Sequence, residues 1–344
     1  MKWLSDVSLT PHHTFGLPAR AQAIVEAHCV QDLQEIWQAS DYHNSPKLVV
    51  GEGSNLLFCQ DFEGVVVLNR LKGITIDNHA DHYLLHVGAG EPWHAFVAWS
   101  IDNAMPGLEN LALIPGCVGA APIQNIGAYG VEFAERCAYV DIYHPDTGNQ
   151  RRLSCDECQF GYRDSIFKTP AMQGWVITQV GFRLDKAWKP VLKYGALAEL
   201  DSQQATPKGI FDAVCAIRRA KLPDPSVCGN AGSFFKNPVL DSEQATKLKV
   251  SYPDVPLFSA PLGQKKVAAG WLIDQCGLKG KRQGGARVHP QQALVITNAE
   301  NAISDDVIRL AKHVVSHVYT RFGVRLEHEV RLIDQQGETT LEAQ

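Results

Sequence analysis

No stretch of the chain approaches the roughly 20 consecutive apolar residues that a membrane-crossing helix requires. The opening Met1-Lys2-Trp3-Leu4-Ser5-Asp6 has no basic segment leading into an apolar core, so a cytoplasmic location is expected. A surplus of positive charge is also missing. The formal net charge is −5, which speaks against a general nucleic-acid binder. Anionic small molecules remain open, since they need only a local cationic cluster. The nine cysteines are an odd number scattered along the chain, which suits reduced thiols rather than a disulfide framework. Cys155-Asp156-Glu157-Cys158 is the single Cys-x-x-Cys and has no second pair, so a structural role is expected. Gly-x-x-x-x-Gly-Lys-Ser/Thr is absent, excluding a P-loop ATPase, and so is the Gly-x-Ser-x-Gly nucleophile elbow. His313 and His317 have metal-like spacing, but no glutamate of a metalloprotease motif stands between them and no third ligand is evident, so no metal site is expected.

What is present begins with enough apolar material, 45% of 344 residues, for two or three domains. The most informative stretch runs from Gly107 to Gly130, with five glycines, two prolines, one carboxylate and no Lys or Arg. It is too apolar for a solvated loop and too rich in Gly and Pro for a long helix or regular strand. Two readings fit: a loop packed on its own domain, or bare main chain wrapped around a flat, largely apolar cofactor. Earlier, Lys47–Val50 reads as a buried strand followed by Gly51-Glu52-Gly53-Ser54-Asn55-Leu56. The third glycine of a dinucleotide fingerprint is missing and another strand, Val65–Leu68, follows where a Rossmann unit needs a helix. A plain tight turn and a phosphate nest of successive N–H groups with Ser54 and Asn55 remain open.

Helical spacing places Leu33, Ile36 and Trp37 on one face, and Trp93, Phe96, Val97 and Ile101 on another. Ile74–Ile76 with Tyr83–Val87 suggests a hairpin, and strands are expected at Ala138–Tyr143 and Val176–Phe182. Pro207 opens a helix with Ile210, Val214 and Ile217 inward and Arg218, Arg219 and Lys221 at its C-terminal end, where cations complement the helix dipole. The last helix begins near Ser304, buries Ile308, Ala311, Val315, Val318 and Phe322, and stops at Gly323. The pattern is α+β.

Three segments carry candidate chemistry. Gly229-Asn230-Ala231-Gly232-Ser233-Phe234-Phe235-Lys236-Asn237-Pro238 surrounds one hydroxyl with small residues, as either a ligand-facing serine or a capped turn requires. Gly161-Tyr162-Arg163-Asp164-Ser165 sets an arginine beside a tight turn, suited to gripping a carboxylate. Glu327–Ile333 alternates as a strand that could turn Glu329 inward.

Together these segments resemble the UDP-N-acetylenolpyruvoylglucosamine reductase family over nearly the whole chain. The shared motifs are His13-Thr14-Phe15-Gly16, Gly51 to Leu57, Ile114-Pro115-Gly116 through Gly130, Gly161-Tyr162-Arg163, Arg218-Arg219-Ala220-Lys221-Leu222-Pro223, Gly232 to Pro238, Ala268 to Ile273 and Glu329-Val330-Arg331. Lys193-Tyr194-Gly195 resembles the tyrosine loop of the longer, type I form.

The resemblance implies a two-subdomain FAD-binding fold of the vanillyl-alcohol-oxidase (PCMH) type, residues 1–68 and 69–222. It adds an α+β substrate-binding domain over 223–328, and a tail, 329–344, returning to the FAD region. It implies NADPH-dependent reduction of UDP-N-acetylglucosamine enolpyruvate to UDP-N-acetylmuramate in peptidoglycan precursor synthesis, and with it in cell-wall growth, shape and division. Hydride would pass from flavin N5 to the terminal enolpyruvyl carbon, and a proton from Ser233 to its neighbour. By the same match Arg163 stabilises charge on the carboxylate and Glu329 polarises or protonates the system. Tyr194 and Lys221 would grip the diphosphate, with Asn237, Lys266 and Gln292 also on the substrate. The FAD residues would be Gly51, Glu52, Gly53, Ser54, Asn55, Leu56, Pro115, Gly116, Gly119, Ala120, Ile123, Asn125, Gly127 and Ile177. FAD would be non-covalent, since no His or Cys stands in an attachment motif, and the protein monomeric. Two departures stand out: Phe258 where close relatives are expected to carry tyrosine, and Ala120-Ala121 where some carry serine. Rival readings are another FAD oxidoreductase of this fold and a non-catalytic flavin or UDP-sugar sensor. The sensor predicts loss of Ser233, Arg163 or Glu329, all of which are present.

Overall fold

Chain segments far apart in sequence interleave in the fold, a computed structural model that describes residues 2–344. Met1, the first residue of the opening segment read above, lies outside the described residues. The chain divides into two units. One comprises the chain up to Val7, Gln22–Gly53 and Gly64–Ala220; the other comprises Ser8–Ala21, Ser54–Glu63 and Lys221–Gln344. Among the described residues no helix is long and apolar enough to cross a membrane.

In the first unit a four-stranded sheet runs in the order Trp3–Ser8, Arg20–Ala27, Phe62–Asn69, Lys47–Val50, the last two parallel. The helix Val30–Gln38 covers it with Leu33, Ile36 and Trp37, as its spacing predicts. Its start is fixed by the Asp32 carboxylate, which accepts from the amides of His28 and Cys29. A five-stranded antiparallel sheet follows, ordered Asn149–Ser154, Cys137–His144, Val176–Asp185, His82–Gly88, Ile74–Asn78. The expected hairpin and both later strands lie here. The helix Trp93–Asp102 packs Trp93 and Phe96 against Phe182, with centroids 5.9 and 4.9 Å away. Its fourth buried residue is Ser100 rather than the expected Ile101. The Ser100 hydroxyl donates to the Val97 carbonyl at 2.9 Å, which lets a polar residue enter the core. Similarly, the helix Pro207–Lys221 buries Ile210, Val214 and Cys215 and leaves Ile217 half-buried.

The second unit holds a four-stranded sheet in the order Asn230–Ser233, Val295–Asn298, Ala286–Val288, Arg282–Gln283. A second small sheet orders Val239–Leu240, Lys265–Val267, Leu257–Ser259, and a third orders Glu338–Thr339, Arg331–Ile333, Leu56–Phe58. The long helix Ser304–Phe322 ends at Gly323, whose φ of 66° only glycine adopts at little cost. Its buried stripe also takes in Val307, Leu310 and Val314, while Val315 and Phe322 are half-buried. Phe322 belongs instead to an aromatic group with Tyr252 and Trp271. The helix Ser242–Ser251 has no apolar stripe to announce it. It buries only Ala245 and Leu248 and is set by a capping box between Asp241 and Gln244.

His13 is buried in the second unit, its Nε2 3.0 Å from the Leu17 carbonyl oxygen and its ring edge-on to Phe58. Burial pushes its pKa below the ordinary histidine value. The folded protein therefore protonates His13 less readily than the unfolded chain, whose histidine titrates near pH 6.5. Stability from this residue is complete above that pH and falls as the pH drops, by up to about 1.4 kcal/mol per pH unit. Urea titrations at pH 7.5 and 5.5 should show His13→Gln losing less stability between the two than the parent protein does.

Candidate functional site

In the first unit, the Gly51–Gly53 turn and the central loop are tied together by side chains that cap main-chain groups. Glu52 accepts from the Gly116 amide at 3.1 Å, and Arg70 donates to the Gly51 carbonyl at 2.9 Å. Gly53 and Gly116 have φ of 62° and 117°, which disfavour any side chain. A Cβ on Gly51 would run into the Cys117 thiol, and one on Gly119 would lie 2.6 Å from the Ala89 methyl. Gly119 donates to the Ala89 carbonyl at 2.8 Å, so this short 3-10 turn sits directly on the end of the strand His82–Gly88. Ala120 closes that turn.

Further along, Ser165 donates to the Ile123 carbonyl at 2.6 Å. Asn125 is buried with φ of 43°. Its amide donates to Glu132 and the Gly161 carbonyl, and its oxygen accepts from Ala134. The Asn125 side chain thus holds the loop in shape. Ile177 is buried, and its carbonyl accepts from Asn69 at 3.1 Å. The candidate cofactor residues of this unit supply backbone groups, apolar side chains and glycine conformations, with no lysine or arginine in Gly107–Gly130. That chemistry fits a dinucleotide with a flat ring system, whose diphosphate suits N–H donors and whose ring suits apolar walls.

Arg163 belongs to the same unit. The turn Gly161–Asp164 is closed by paired main-chain bonds of 2.9 and 3.4 Å, and Arg163 at its tip has φ of 54°. A left-handed conformation at a branched-charge residue costs about 1–3 kcal/mol and persists only where the surroundings impose it. Here Lys168 holds the Arg163 carbonyl at 2.6 Å, and the guanidinium reaches the Gly127 carbonyl at 3.3 Å and lies 5.6 Å from the Tyr162 ring.

Arg218 is more than a partner of its helix dipole. Its Nε donates to the Leu113 carbonyl of the central loop at 3.1 Å, and burial lowers its pKa. Tyr129, whose pKa burial raises despite the Arg218 charge, stands edge-on to Tyr194 at 6.4 Å. Tyr194 is exposed, as is Lys221 at the end of its helix.

In the second unit three segments are woven together by main chain. The Ser233 backbone is fixed in register with Val295, and the next amide, Phe234, donates to Leu294 at 2.7 Å. The Phe234 carbonyl accepts from the Glu329 amide at 2.7 Å, and the Lys236 amide donates to Glu327. Asn55 donates from its side chain to the Glu329 carbonyl at 3.2 Å and accepts from the Arg331 amide at 3.0 Å. Asn55, Ser233 and Glu329 are thereby gathered. Glu329 is not in the expected strand, which covers only Arg331–Ile333. Residues 327–329 instead run as a strap along the irregular 234–236 segment, with Phe235 opposite His328. On the other side of Ser233, Thr14 and Asn230 exchange bonds of 2.7 and 3.0 Å, which explains the His13–Gly16 motif. Leu56 is buried beside Arg331.

Asn237 accepts from the Ala269 amide at 2.9 Å. Lys266 is half-buried opposite Phe258, itself exposed and lacking the hydroxyl a tyrosine would present. The Gln292 amide donates to His289 at 3.1 Å. Sequence reasoning passed over Glu109 and Asn110, both buried. The signal was there: Glu109 is the one charged residue in the Gly107–Gly130 stretch.

Comparison with known proteins bears on this arrangement. The family described as "FAD binding domain" matches residues 21–154, and "UDP-N-acetylenolpyruvoylglucosamine reductase, C-terminal domain" matches 224–333. The UDP-N-acetylenolpyruvoylglucosamine reductase of Photobacterium profundum is 57% identical over 341 residues, covering 99% of both chains. The Pasteurella multocida protein of that name is 55% identical over 335 residues, 97% of this chain and 98% of its own. The Escherichia coli protein of that name is 54% identical over 333 residues, 97% of each. Among solved structures, the Thermus caldophilus UDP-N-acetylenolpyruvylglucosamine reductase shares the fold, with a TM-score of 0.65 at 24% identity over 96% of this chain and 98% of that one.

Proposed function

The chain belongs to the UDP-N-acetylenolpyruvoylglucosamine reductase family, and on that premise we propose that it uses NADPH to reduce UDP-N-acetylglucosamine enolpyruvate to UDP-N-acetylmuramate. The single observation carrying this is the near full-length identity of 57% to a protein of that name. Present in the same chain are Arg163, Ser233 and Glu329. The activity is an FAD-dependent oxidoreduction in peptidoglycan precursor synthesis, and a cytoplasmic monomer suits a soluble nucleotide-sugar substrate. We assign residues up to 222 to FAD binding, in two parts divided at 68, residues 223–328 to substrate binding, and the remainder to a returning tail.

FAD, when bound, supplies the hydride chemistry of the reaction. The chain's own groups do the rest. The Gly51–Leu56 turn, Pro115, Gly116, Gly119, Ala120, Ile123, Gly127 and Ile177 hold the cofactor without a covalent bond, and Asn125 shapes that loop from behind. Addition of hydride to the terminal enolpyruvyl carbon leaves carbanionic charge that spreads onto the substrate carboxylate. The Arg163 guanidinium stabilises that charge more in the transition state than in the ground state. Ser233 Oγ gives a proton to the neighbouring carbon, and Glu329 helps polarise or protonate the system. A hydroxyl is a weak acid in water but serves a developing carbanion when already positioned. Tyr194 and Lys221 grip the diphosphate, Asn237, Lys266 and Gln292 line the rest of the substrate, and Phe258 contributes apolar contact where a hydroxyl would have bonded.

The purified protein is expected to be yellow, to bleach on anaerobic addition of NADPH, and to recover its colour on addition of UDP-N-acetylglucosamine enolpyruvate. Bleaching without recovery would point to a different oxidant substrate, and absence of bleaching to a sensor.

A further inference from the structure

Two buried polar residues in the central loop act on a segment eighty residues away. Glu109 accepts from the Trp188 indole N–H at 2.6 Å and from the Gly107 amide at 2.7 Å. Asn110 spends both amide hydrogens on main-chain carbonyls, that of Tyr129 at 2.9 Å and that of Val191 at 2.8 Å. Both side chains are at least 98% buried. The bonds therefore form out of water, where losing one leaves a carbonyl without a partner. Trp188 and Val191 lie just before Tyr194, on a stretch whose Lys193, Tyr194 and Gly195 are exposed while Leu192 and Leu197 pack against the core on either side. Beneath it lies Gly130, where a Cβ would make ordinary contact 3.5 Å from Val191 and 3.6 Å from the Tyr194 Cβ, so the φ of 84° rather than space favours glycine there. One amide thus ties the Tyr129 backbone to Val191, three residues before its ring partner Tyr194.

We propose that Glu109 and Asn110 are positioning residues that latch the base of the Tyr194 segment to the central loop and so set Tyr194 for the substrate diphosphate. This rests on the proposed role of Tyr194. Neither residue touches substrate; each acts through the 188–194 backbone. An unlatched segment carries Tyr194 through many conformations, and the enzyme then loses ground-state and transition-state binding equally, which raises KM and spares kcat.

Asn110→Asp keeps size and shape but cannot donate when ionised, and it sets a carboxylate against two carbonyls. At pH 8 its KM for UDP-N-acetylglucosamine enolpyruvate is expected to rise about tenfold with kcat within threefold. A carboxyl so placed has a raised pKa and regains one donor when protonated, so the KM ratio to the parent enzyme should shrink toward pH 6. Without substrate, tryptic cleavage after Lys193 should accelerate several-fold. Trp188→Phe removes the indole donor alone and should shift KM and cleavage in the same direction, which keeps the test alive if the Asp variant fails to fold. An unchanged KM and cleavage rate, a loss confined to kcat, or a KM ratio indifferent to pH would overturn the latch. If the parent enzyme does not turn over the enolpyruvyl ether, the proposed function fails, while the cleavage rates still decide whether the latch exists.

Discussion

Ser233→Ala is expected to leave bleaching of the flavin by NADPH within about twofold of normal while slowing recolouring by the enolpyruvyl substrate at least 10³-fold, a loss of about 4 kcal/mol of transition-state stabilisation. The substitution is nearly silent for the fold. Ser233 is held by its main chain, in register with Val295 and followed by the bond from Phe234 to Leu294, and alanine keeps both. Gly232 before it carries the φ of 72° that turns the strand, so no strain falls on residue 233. The Glu329 amide is fixed to the Phe234 carbonyl one residue on, so the Glu329 main chain stays where it is when the hydroxyl goes. A defect in the second half-reaction alone, with folded stability within about 1 kcal/mol, isolates proton delivery from every other role. Stopped-flow traces with normal recolouring would assign the proton to another donor.

The elements legible in the sequence were those whose burial is periodic. Leu33, Ile36 and Trp37 mark one helix and the alternating Val176–Phe182 run marks a strand, because one face of each meets a core. The Gly107–Gly130 stretch could be recognised as special by composition, yet two readings survived, since composition does not say which carbonyl meets which amide. The structure shows how the loop packs, and the cradle reading rests on the family. Gly119 and Asn125 pack the loop on its own unit, and Gly116 turns its main chain with a φ of 117°. The helix Ser242–Ser251 stayed hidden because capping rather than an apolar face sets it. Glu329 was placed in a strand by alternation, but its neighbours pair with a stretch too irregular to extend the ladder. Long-range polar contacts such as Asn110 to Val191 leave no local pattern at all, and only the lone charge of Glu109 hinted that something polar was buried there.

The strongest test of charge stabilisation is Arg163→Lys, expected to lower kcat for the enolpyruvyl half-reaction by about 10²–10³-fold, or about 3–4 kcal/mol, while NADPH still bleaches the flavin. Lysine keeps the positive charge and the same left-handed backbone penalty, because neither side chain relieves a φ of 54°. The turn itself is closed by Gly161 and Asp164 main chain and by Lys168 on the Arg163 carbonyl, none of which the substitution touches. What changes is the planar fork. A guanidinium can hold both oxygens of a carboxylate in one plane while still reaching the Gly127 carbonyl, whereas an ammonium is a single point that must choose. The enediolate-like charge that follows hydride addition is spread over both oxygens, so the fork's advantage grows as the reaction proceeds and appears in kcat rather than KM. A lysine variant with kcat within threefold of the parent would mean that net charge alone suffices and that the strained turn positions a cation, not a plane.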